Sequence, residues 1–307
     1  MKASAPGKII LFGEHAVVYN RPALAVPVTQ VKVDVEVTDS ESAGIHIHAP
    51  IINLHAELNT LPPDHAIGSV VLKVFSAFGI SNPPPLKINI TSTIPAAAGL
   101  GSGAAVSAAL IRALALHLAY PLTNEQVNDM VFEIEKLHHG TPSGIDNTVI
   151  TFSKPVYFVK GQPIETFKVG KPFTIVIGDT GVAAPTKESV GDVRKLWLED
   201  QNKFEVLFNE IGKISQTARD SIESGQPEQL GGLMDQNHAL LQQLTVSSNE
   251  LDNLVTAARD AGALGAKLSG GGRGGNMIAL VKKEKAESVS NALLSAGAKR
   301  TIVTEIK

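Results

Sequence analysis

Alternating apolar and polar residues predict the first strands of this chain. Residues 30–37 place a valine at every second position from Val31 to Val37, which is the period of a half-buried strand. Residues 86–91 alternate in the same way, and residues 8–12 form a short apolar run of strand type. We therefore expect a sheet in the first third of the chain.

Two longer segments predict helices. Residues 100–118 are rich in alanine and contain no glycine or proline after Gly103, so they favour a helix that packs closely against a sheet. In residues 122–137, Thr123 is followed three positions later by Gln126, which is the spacing of a capping box at a helix start. Apolar residues then recur at helical spacing, which predicts a second helix.

A change of composition marks the expected domain boundary. Proline and glycine interrupt short apolar pieces throughout residues 151–171, which is typical of a connecting segment. We therefore predict one domain over residues 1–165 and a second over residues 166–307.

The second half mixes strands and helices without a regular rhythm. Apolar patterning predicts helices between about residues 186 and 262, another helix over 285–296, and strands over 173–178, 266–269, 276–281 and 299–305. Because these elements do not follow a regular strand–helix–strand order, they favour an α+β fold with helices on mostly antiparallel sheets.

Composition excludes several classes of function. The net charge is -3, so no basic field exists to hold a nucleic acid. The chain has no cysteine, which excludes disulfides, thiolate nucleophiles and cysteine-based zinc sites. The N-terminus has no signal-peptide pattern, and the longest apolar run is shorter than a membrane helix. These features predict a soluble cytoplasmic protein, and they are compatible with the binding of small anionic ligands.

The first glycine-rich segment covers residues 95–105 and leads into the helix predicted over 100–118. Glycines let the backbone approach a ligand closely, and the N–H groups at a helix start attract anions. A dinucleotide fingerprint does not fit, because Pro95 and three alanines separate the glycines from any preceding strand. The segment is a candidate for phosphate binding.

The second glycine-rich segment covers residues 267–275 and joins two predicted strands. A tight hairpin connection explains it as well as a ligand-binding loop does. No GxxxxGK[ST] pattern occurs in the chain, which excludes a P-loop kinase.

Residues 6–19, PGKIILFGEHAVVY, followed in order by the two glycine-rich segments, resemble the GHMP kinase superfamily over residues 6 to about 280. Within it, GEHAVVY, the sequence PALA at 22–25 and HGTPSGIDN at 139–147 are most similar to the mevalonate kinase family. Ala16 and Val17 stand where a galactokinase would have an acidic sugar-binding residue. The resemblance implies two domains, one like the second domain of ribosomal protein S5 and one ferredoxin-like, with the active site between them.

The resemblance also implies the catalytic residues. Asp146 takes the position of the family's general base, and Lys8 that of a lysine aimed at the base and the reacting hydroxyl. Without the motif around them, Asp146 would be better explained as a cap of a turn or helix after Gly144, and Lys8 as a surface lysine.

For Mg²⁺, the resemblance implies Glu135 with Ser102 as its hydroxyl partner, and Glu133 is the rival carboxylate. A helix-surface role would also explain Glu135. The family usually has a second serine where this chain has Gly103, so Ser102 or water must replace that hydroxyl.

The remaining implied sites bind ATP and the alcohol. Glu14, His15 and Thr186 correspond to substrate-binding residues, although Thr186 alone fits a helix cap equally well. The residues expected to bind ATP, the co-substrate, are Pro95, Gly99, Leu100, Gly101, Ser102, Gly103, Ala104 and Ala105, and those expected to support the phosphate loop are Ser269, Gly270, Gly271 and Gly272.

The implied activity is phosphorylation of the 5-hydroxyl of mevalonate by Mg-ATP. Another small alcohol or phosphomevalonate as substrate, and a non-catalytic ligand sensor on the same fold, are the alternatives. The expected partner is the small-molecule substrate, with no nucleic acid or membrane, and the resemblance allows a homodimer.

Overall fold

The computed structural model describes residues 1–95, 99–139, 143–184 and 186–307. Residues 96–98, 140–142 and 185 of the motifs quoted above lie outside this part. The chain forms two compact units: the first consists of Met1–Gly7, Val31–Ala96 and Gly101–Ser153, and the second of Lys8–Gln30, Ala97–Leu100 and Lys154–Lys307. These units are defined by contacts, and the domain boundary expected at residue 165 stays a prediction.

The first unit contains an antiparallel and parallel mixed sheet. Its strands are β1 (Lys2–Phe12), β2 (Ala23–Asp39), β3 (Ile45–Ala49), β4 (Leu54–Glu57) and β5 (Leu86–Ser92), of which β1 and β2 continue into the second unit. Strand β5 pairs antiparallel with the end of β2 and parallel with β3, which pairs antiparallel with β4. The alternate valines of β2 are buried, which confirms the predicted half-buried strand.

Helices of the first unit are α1 (Ala66–Ala77), α2 (Ser102–His117), α3 (Asn124–His139) and α4 (Ile145–Phe152). Helix α2 contacts the other three, and its buried residues are mostly alanines, which permit close approach. The predicted capping box of α3 is confirmed. The Thr123 N–H donates to Gln126 Oε1 over 2.8 Å, and the Gln126 N–H donates to Thr123 Oγ1 over 3.3 Å.

The second unit is built on a four-stranded antiparallel sheet. Its order is β11-β8-β10-β9, formed by β8 (Phe173–Asp179), β9 (Gly265–Ser269), β10 (Asn276–Val281) and β11 (Arg300–Ile306). Two short strands, β6 (Val156–Phe158) and β7 (Glu165–Thr166), pair with each other, and β6 also pairs with the start of β2. Every residue of β8, β9 and β10 is buried.

The described residues of the second unit also form the α-helices α5 (Thr186–Glu199), α6 (Gln201–Glu223), α7 (Leu230–Gln243), α8 (Asn249–Asp260) and α9 (Ala286–Ser295). Phe208 of α6, Leu241 of α7 and Met277 of β10 belong to one buried apolar cluster. The α+β class with mostly antiparallel sheets is confirmed. In the described residues, no helix combines the length and apolarity that crossing a bilayer requires.

Candidate active site

The first glycine-rich segment leads into the start of α2. Gly99 and Gly101 have φ of 70° and 74°, in the left-handed region that glycine adopts without a steric cost. Gly101 is the N-cap of α2 and provides no side-chain cap, so the cap leaves the first-turn N–H groups to other acceptors. Such a helix start is suited to binding an anion. The helix begins at Ser102, two residues later than the sequence predicted.

Glu135 of α3 faces the start of α2 within the first unit. A Cβ atom at Gly103 would lie 3.6 Å from Glu135 Oε1, and Glu135 is buried. The rival carboxylate, Glu133, is exposed and pairs with Lys136 over 2.7 Å. The structure therefore associates Glu135, and not Glu133, with the glycine-rich helix start.

This arrangement suits Mg²⁺, which prefers hard oxygen ligands. Ser102 and Glu135 offer a hydroxyl and a carboxylate, and the described residues contain no cluster of three or more metal-binding side chains. One or two protein ligands are sufficient for Mg²⁺ when phosphate oxygens and water complete its coordination.

Asp146 lies in the first turn of α4, also in the first unit. The N-cap of this helix is Gly144, with φ of 89°, so Asp146 is inside the helix and not at its cap. Asn147 Nδ2 donates to Asn128 Oδ1 over 2.8 Å, and Thr148 Oγ1 donates to the Gly144 carbonyl over 2.8 Å. The first bond links α4 to α3, and the second lies within the start of α4. Asp146 is half-buried between two buried neighbours.

Lys8 is a buried lysine of β1 in the second unit. Its N–H donates to the Leu100 carbonyl over 3.0 Å, which attaches the strand to the glycine-rich segment. Lysine is rarely buried without a structural or functional partner. Its burial rules out the alternative that Lys8 is an ordinary surface residue.

A buried ion pair joins Glu14 to Lys267 of β9. Both side chains are fully buried, and Lys267 Nζ also donates to the Leu268 carbonyl over 2.6 Å. Burial lowers the pKa of Lys267, while the Glu14 carboxylate opposes this shift. The sequence analysis assigned no role to Lys267. The pattern that could have revealed it is a lysine between the apolar residues Ala266 and Leu268 of a predicted strand.

His15 occupies a strained turn. Its φ of 61° and ψ of -48°, with the Ala16 N–H donating to the Glu14 carbonyl over 2.7 Å, define a γ-turn of the rare positive-φ form. Gly13, two residues before His15, leads into this turn. Only glycine fits there, because a Cβ would lie 2.4 Å from Ala23 Cα. Strain of this kind costs about 1–3 kcal/mol and is concentrated at functional sites.

The His15 ring is held in one tautomer. Its Nε2 lies 3.0 Å from the Gly271 carbonyl oxygen, which only accepts, so Nε2 carries the proton. Burial lowers the pKa of His15 to about 4; the bond to Gly271 opposes this, and the charge of Arg273 adds to it. The ring is therefore neutral near pH 7, and Nδ1 is an acceptor.

Residues 270–275 of the second glycine-rich segment form a loop that joins the antiparallel strands β9 and β10, as the hairpin interpretation predicted. It is also packed too tightly for a side chain at Gly274, where a Cβ would lie 2.8 Å from the Val182 carbonyl oxygen, and at two further positions. A Cβ at Gly271 would lie 2.6 Å from Thr186 Oγ1, and one at Gly272 would lie 1.9 Å from the Val246 carbonyl oxygen. Ser269 anchors its start by donating to the Ile10 carbonyl over 2.7 Å.

The structure thus gathers the expected residues into two sets, one in each unit. Ser102, Gly103, Glu135 and Asp146 lie on the helices of the first unit, whereas Lys8, Glu14, His15, Thr186 and the 270–275 loop belong to the second. Thr186 is the first residue of α5. The individual roles of all these residues stay predictions.

Comparisons with known proteins match this chain to family models and relatives. The N-terminal domain model of the GHMP kinases matches residues 65–154, and the C-terminal model matches residues 218–299. The mevalonate kinase of Thermococcus sibiricus is 37% identical, with 99% of this chain and 95% of the relative covered. That of Pyrococcus furiosus is 38% identical with the same coverage.

A solved structure is also similar over the whole length of this chain. The crystal structure of L. major mevalonate kinase in complex with R-mevalonate has a TM-score of 0.88 and 28% identity, with 100% of this chain and 96% of that chain covered.

Proposed function

Because the chain belongs to the GHMP kinase family, we propose that it is a mevalonate kinase that transfers the γ-phosphoryl group of ATP to the 5-hydroxyl of mevalonate. The observation that carries this proposal is the 37% identity to a mevalonate kinase across 99% of the chain. The two-domain GHMP kinase fold extends over the same length.

Phosphoryl transfer requires that ATP be held and that negative charge be offset. The N–H groups at the start of α2 and the backbone of Gly99, Leu100 and Gly101 are suited to bind phosphate oxygens. Ser102 and Glu135 would hold Mg²⁺. When bound, this ion would offset charge on the phosphate groups.

Proton transfer is assigned to Asp146. Asp146 is half-buried in the first turn of α4, and we assign to its carboxylate the acceptance of the proton from the alcohol. General-base catalysis contributes about 10²–10⁴-fold in rate. The Lys8 ammonium is proposed to offset negative charge in the same reaction, in agreement with the burial that an ordinary surface lysine would lack.

The alcohol substrate is assigned to Glu14, His15 and Thr186. A neutral His15 has one free acceptor, Nδ1, which is buried and has no hydrogen-bond partner among the described residues. A buried acceptor without a partner is costly, and a substrate hydroxyl would satisfy it.

A substrate panel tests the proposal. The protein is mixed with Mg-ATP and, in separate reactions, mevalonate, phosphomevalonate, homoserine and a sugar; ADP release and phosphorylated products are followed by coupled assay and ³¹P NMR. We expect turnover with mevalonate and mevalonate 5-phosphate as the product. Turnover with another alcohol only would favour the alternative substrates, and ligand binding without turnover would favour a sensor.

The reaction is proposed to take place in the cytoplasm. A homodimer stays a prediction, which analytical ultracentrifugation of the purified chain would test.

A further inference from the structure

Arg273 interrupts the 270–275 glycine loop at a position suited to glycine. Its φ is 58°, and the glycines on both sides, Gly272 and Gly274, also have positive φ. A residue with a Cβ adopts this left-handed conformation only at an energetic cost. Glycine would remove that cost, so the arginine side chain must contribute something that offsets it.

The side chain of Arg273 ties the loop to two other segments of the second unit. Nη1 donates to Asp192 Oδ2 of α5 over 2.6 Å, and Nε donates to the Thr245 carbonyl over 3.4 Å. The Arg273 N–H donates to the Val246 carbonyl over 2.8 Å. The hydrogen bond from Arg273 is the largest factor that lowers the pKa of Asp192, which favours a charged pair.

The bonds of Arg273 also fix the position of Gly271, which lies two residues earlier in the loop. Its carbonyl oxygen accepts the hydrogen bond from His15 Nε2, and Thr186 lies so close that a Cβ added to Gly271 would be 2.6 Å from Thr186 Oγ1. Gly271 therefore contacts two of the three residues assigned to the alcohol substrate. A displacement of about 1 Å at such a point is enough to cost up to 10²-fold in rate.

We propose that the ion pair between Arg273 and Asp192 is a latch that holds Gly271 against His15 and Thr186, which makes Arg273 a positioning residue for the alcohol substrate. Arg273 acts through the loop. The kinetic part of this inference rests on the proposed function; the structural part does not.

Steady-state kinetics of the full chain test the kinetic part. We expect Arg273→Gly and Asp192→Asn each to raise KM for mevalonate about tenfold while KM for ATP changes less than twofold. Lys195→Gln is the matched control, because Lys195 also pairs with Asp192, over 2.9 Å, but from the same helix. Lys195→Gln should leave both KM values within twofold of wild type.

Arg273→Gly is the decisive variant because it also relieves the backbone strain. If the side chain only filled space, Arg273→Gly would keep KM for mevalonate within twofold and stabilise the fold, and that result would overturn the proposal. If Arg273→Gly does not fold, Asp192→Asn carries the test alone. Equal rises of both KM values in Asp192→Asn would mean a general loss of structure and would also overturn the proposal.

Imidazole ¹⁵N NMR tests the structural part without any turnover, with His15→Gln used to assign the signals. Wild type should show His15 as the neutral Nε2–H tautomer at pH 7, and Arg273→Gly or Asp192→Asn should show a mixture of both tautomers. An unchanged His15 signal in both variants would disprove the latch. A wild type that shows the expected tautomer but no turnover with mevalonate would contradict the proposed function while leaving the latch intact.

Discussion

Ser102 and Asp146 of the first unit differ from Glu14, His15 and Lys267 of the second unit in how deeply they are built into the fold. In the first unit, Ser102 and Asp146 lie at helix starts and are half-buried. In the second, Glu14, His15 and Lys267 are buried. Lys267 Nζ donates to the Glu14 carboxylate, and His15 Nε2 donates to the Gly271 carbonyl. A helix start exposes N–H groups without burying a charge, whereas a charge inside a sheet requires a partner. We expect changes at Ser102 and Asp146 to cost activity, and changes at Glu14, His15 and Lys267 to cost stability as well.

The largest difference between the effect on activity and the effect on stability is expected at Asp146. Asp146→Asn removes the proposed base, so kcat should fall about 10³-fold, while the melting temperature and the ATP affinity measured by calorimetry stay close to wild type. Asp129→Asn, an exposed change on α3, is the control and should retain wild-type kcat. Wild-type turnover by Asp146→Asn would remove this residue from the mechanism.

In the second unit, Lys267→Met should lower the free energy of unfolding by about 3–5 kcal/mol, because it leaves the Glu14 carboxylate buried without its cation. Urea denaturation measures the loss. The double variant Lys267→Met with Glu14→Gln should recover part of it, since no uncompensated charge is then buried. If Lys267→Met costs less than 1 kcal/mol, the ion pair is not integral to the fold, and the contrast between the units fails.

Buried histidines of the second unit should make its stability depend on pH. Burial lowers the pKa values of His15 and His238 from 6.5 to about 4. The unfolded chain therefore binds protons between pH 6.5 and 4 while the folded chain does not, and stability is lost as pH falls through this window. Between pH 7 and 5 each histidine should contribute a loss of about 2 kcal/mol.

Urea denaturation of wild type and His238→Gln at pH 7 and pH 5 measures this contribution. His238 lies 3.1 Å from Asp252 and accepts from the Leu268 N–H. The variant should show a pH-dependent loss about 2 kcal/mol smaller than that of wild type. Equal losses in the two proteins would contradict the assignment.

The smallest effect is expected at the start of α2. Gly103→Ser adds a side chain in a helical position with ordinary contact distance to Glu135, so it should raise the free energy of unfolding by about 0.5 kcal/mol. The new hydroxyl should also lower the apparent Kd for Mg-ATP, measured by calorimetry. A higher Kd would show that binding of Mg-ATP requires the space beside Glu135 to be empty. Gly103→Ala, which adds a methyl group without a hydroxyl, is the control.

Helices α2 and α3 and the strands of the second sheet were predictable because their patterns are long and regular. Helix α3 also carries a complete capping box, Thr123 with Gln126. Helix α4 has only 8 residues and strands β6 and β7 have three and two, too few to show a period. Helix α1 was missed although it has 12 residues, and its apolar residues lie in a segment between proline-containing turns.

The sequence by itself determined the order of the motifs, the strong elements and hence the family, because local periodicity and turn chemistry act between neighbouring residues. Only the tertiary structure decided the long-range partners. It pairs Lys267 with Glu14 across 253 positions, Arg273 with Asp192 across 81, and Gly103 with Glu135 rather than with Glu133. Such pairs depend on the path of the whole chain, and no local pattern records which distant charge will share a buried site.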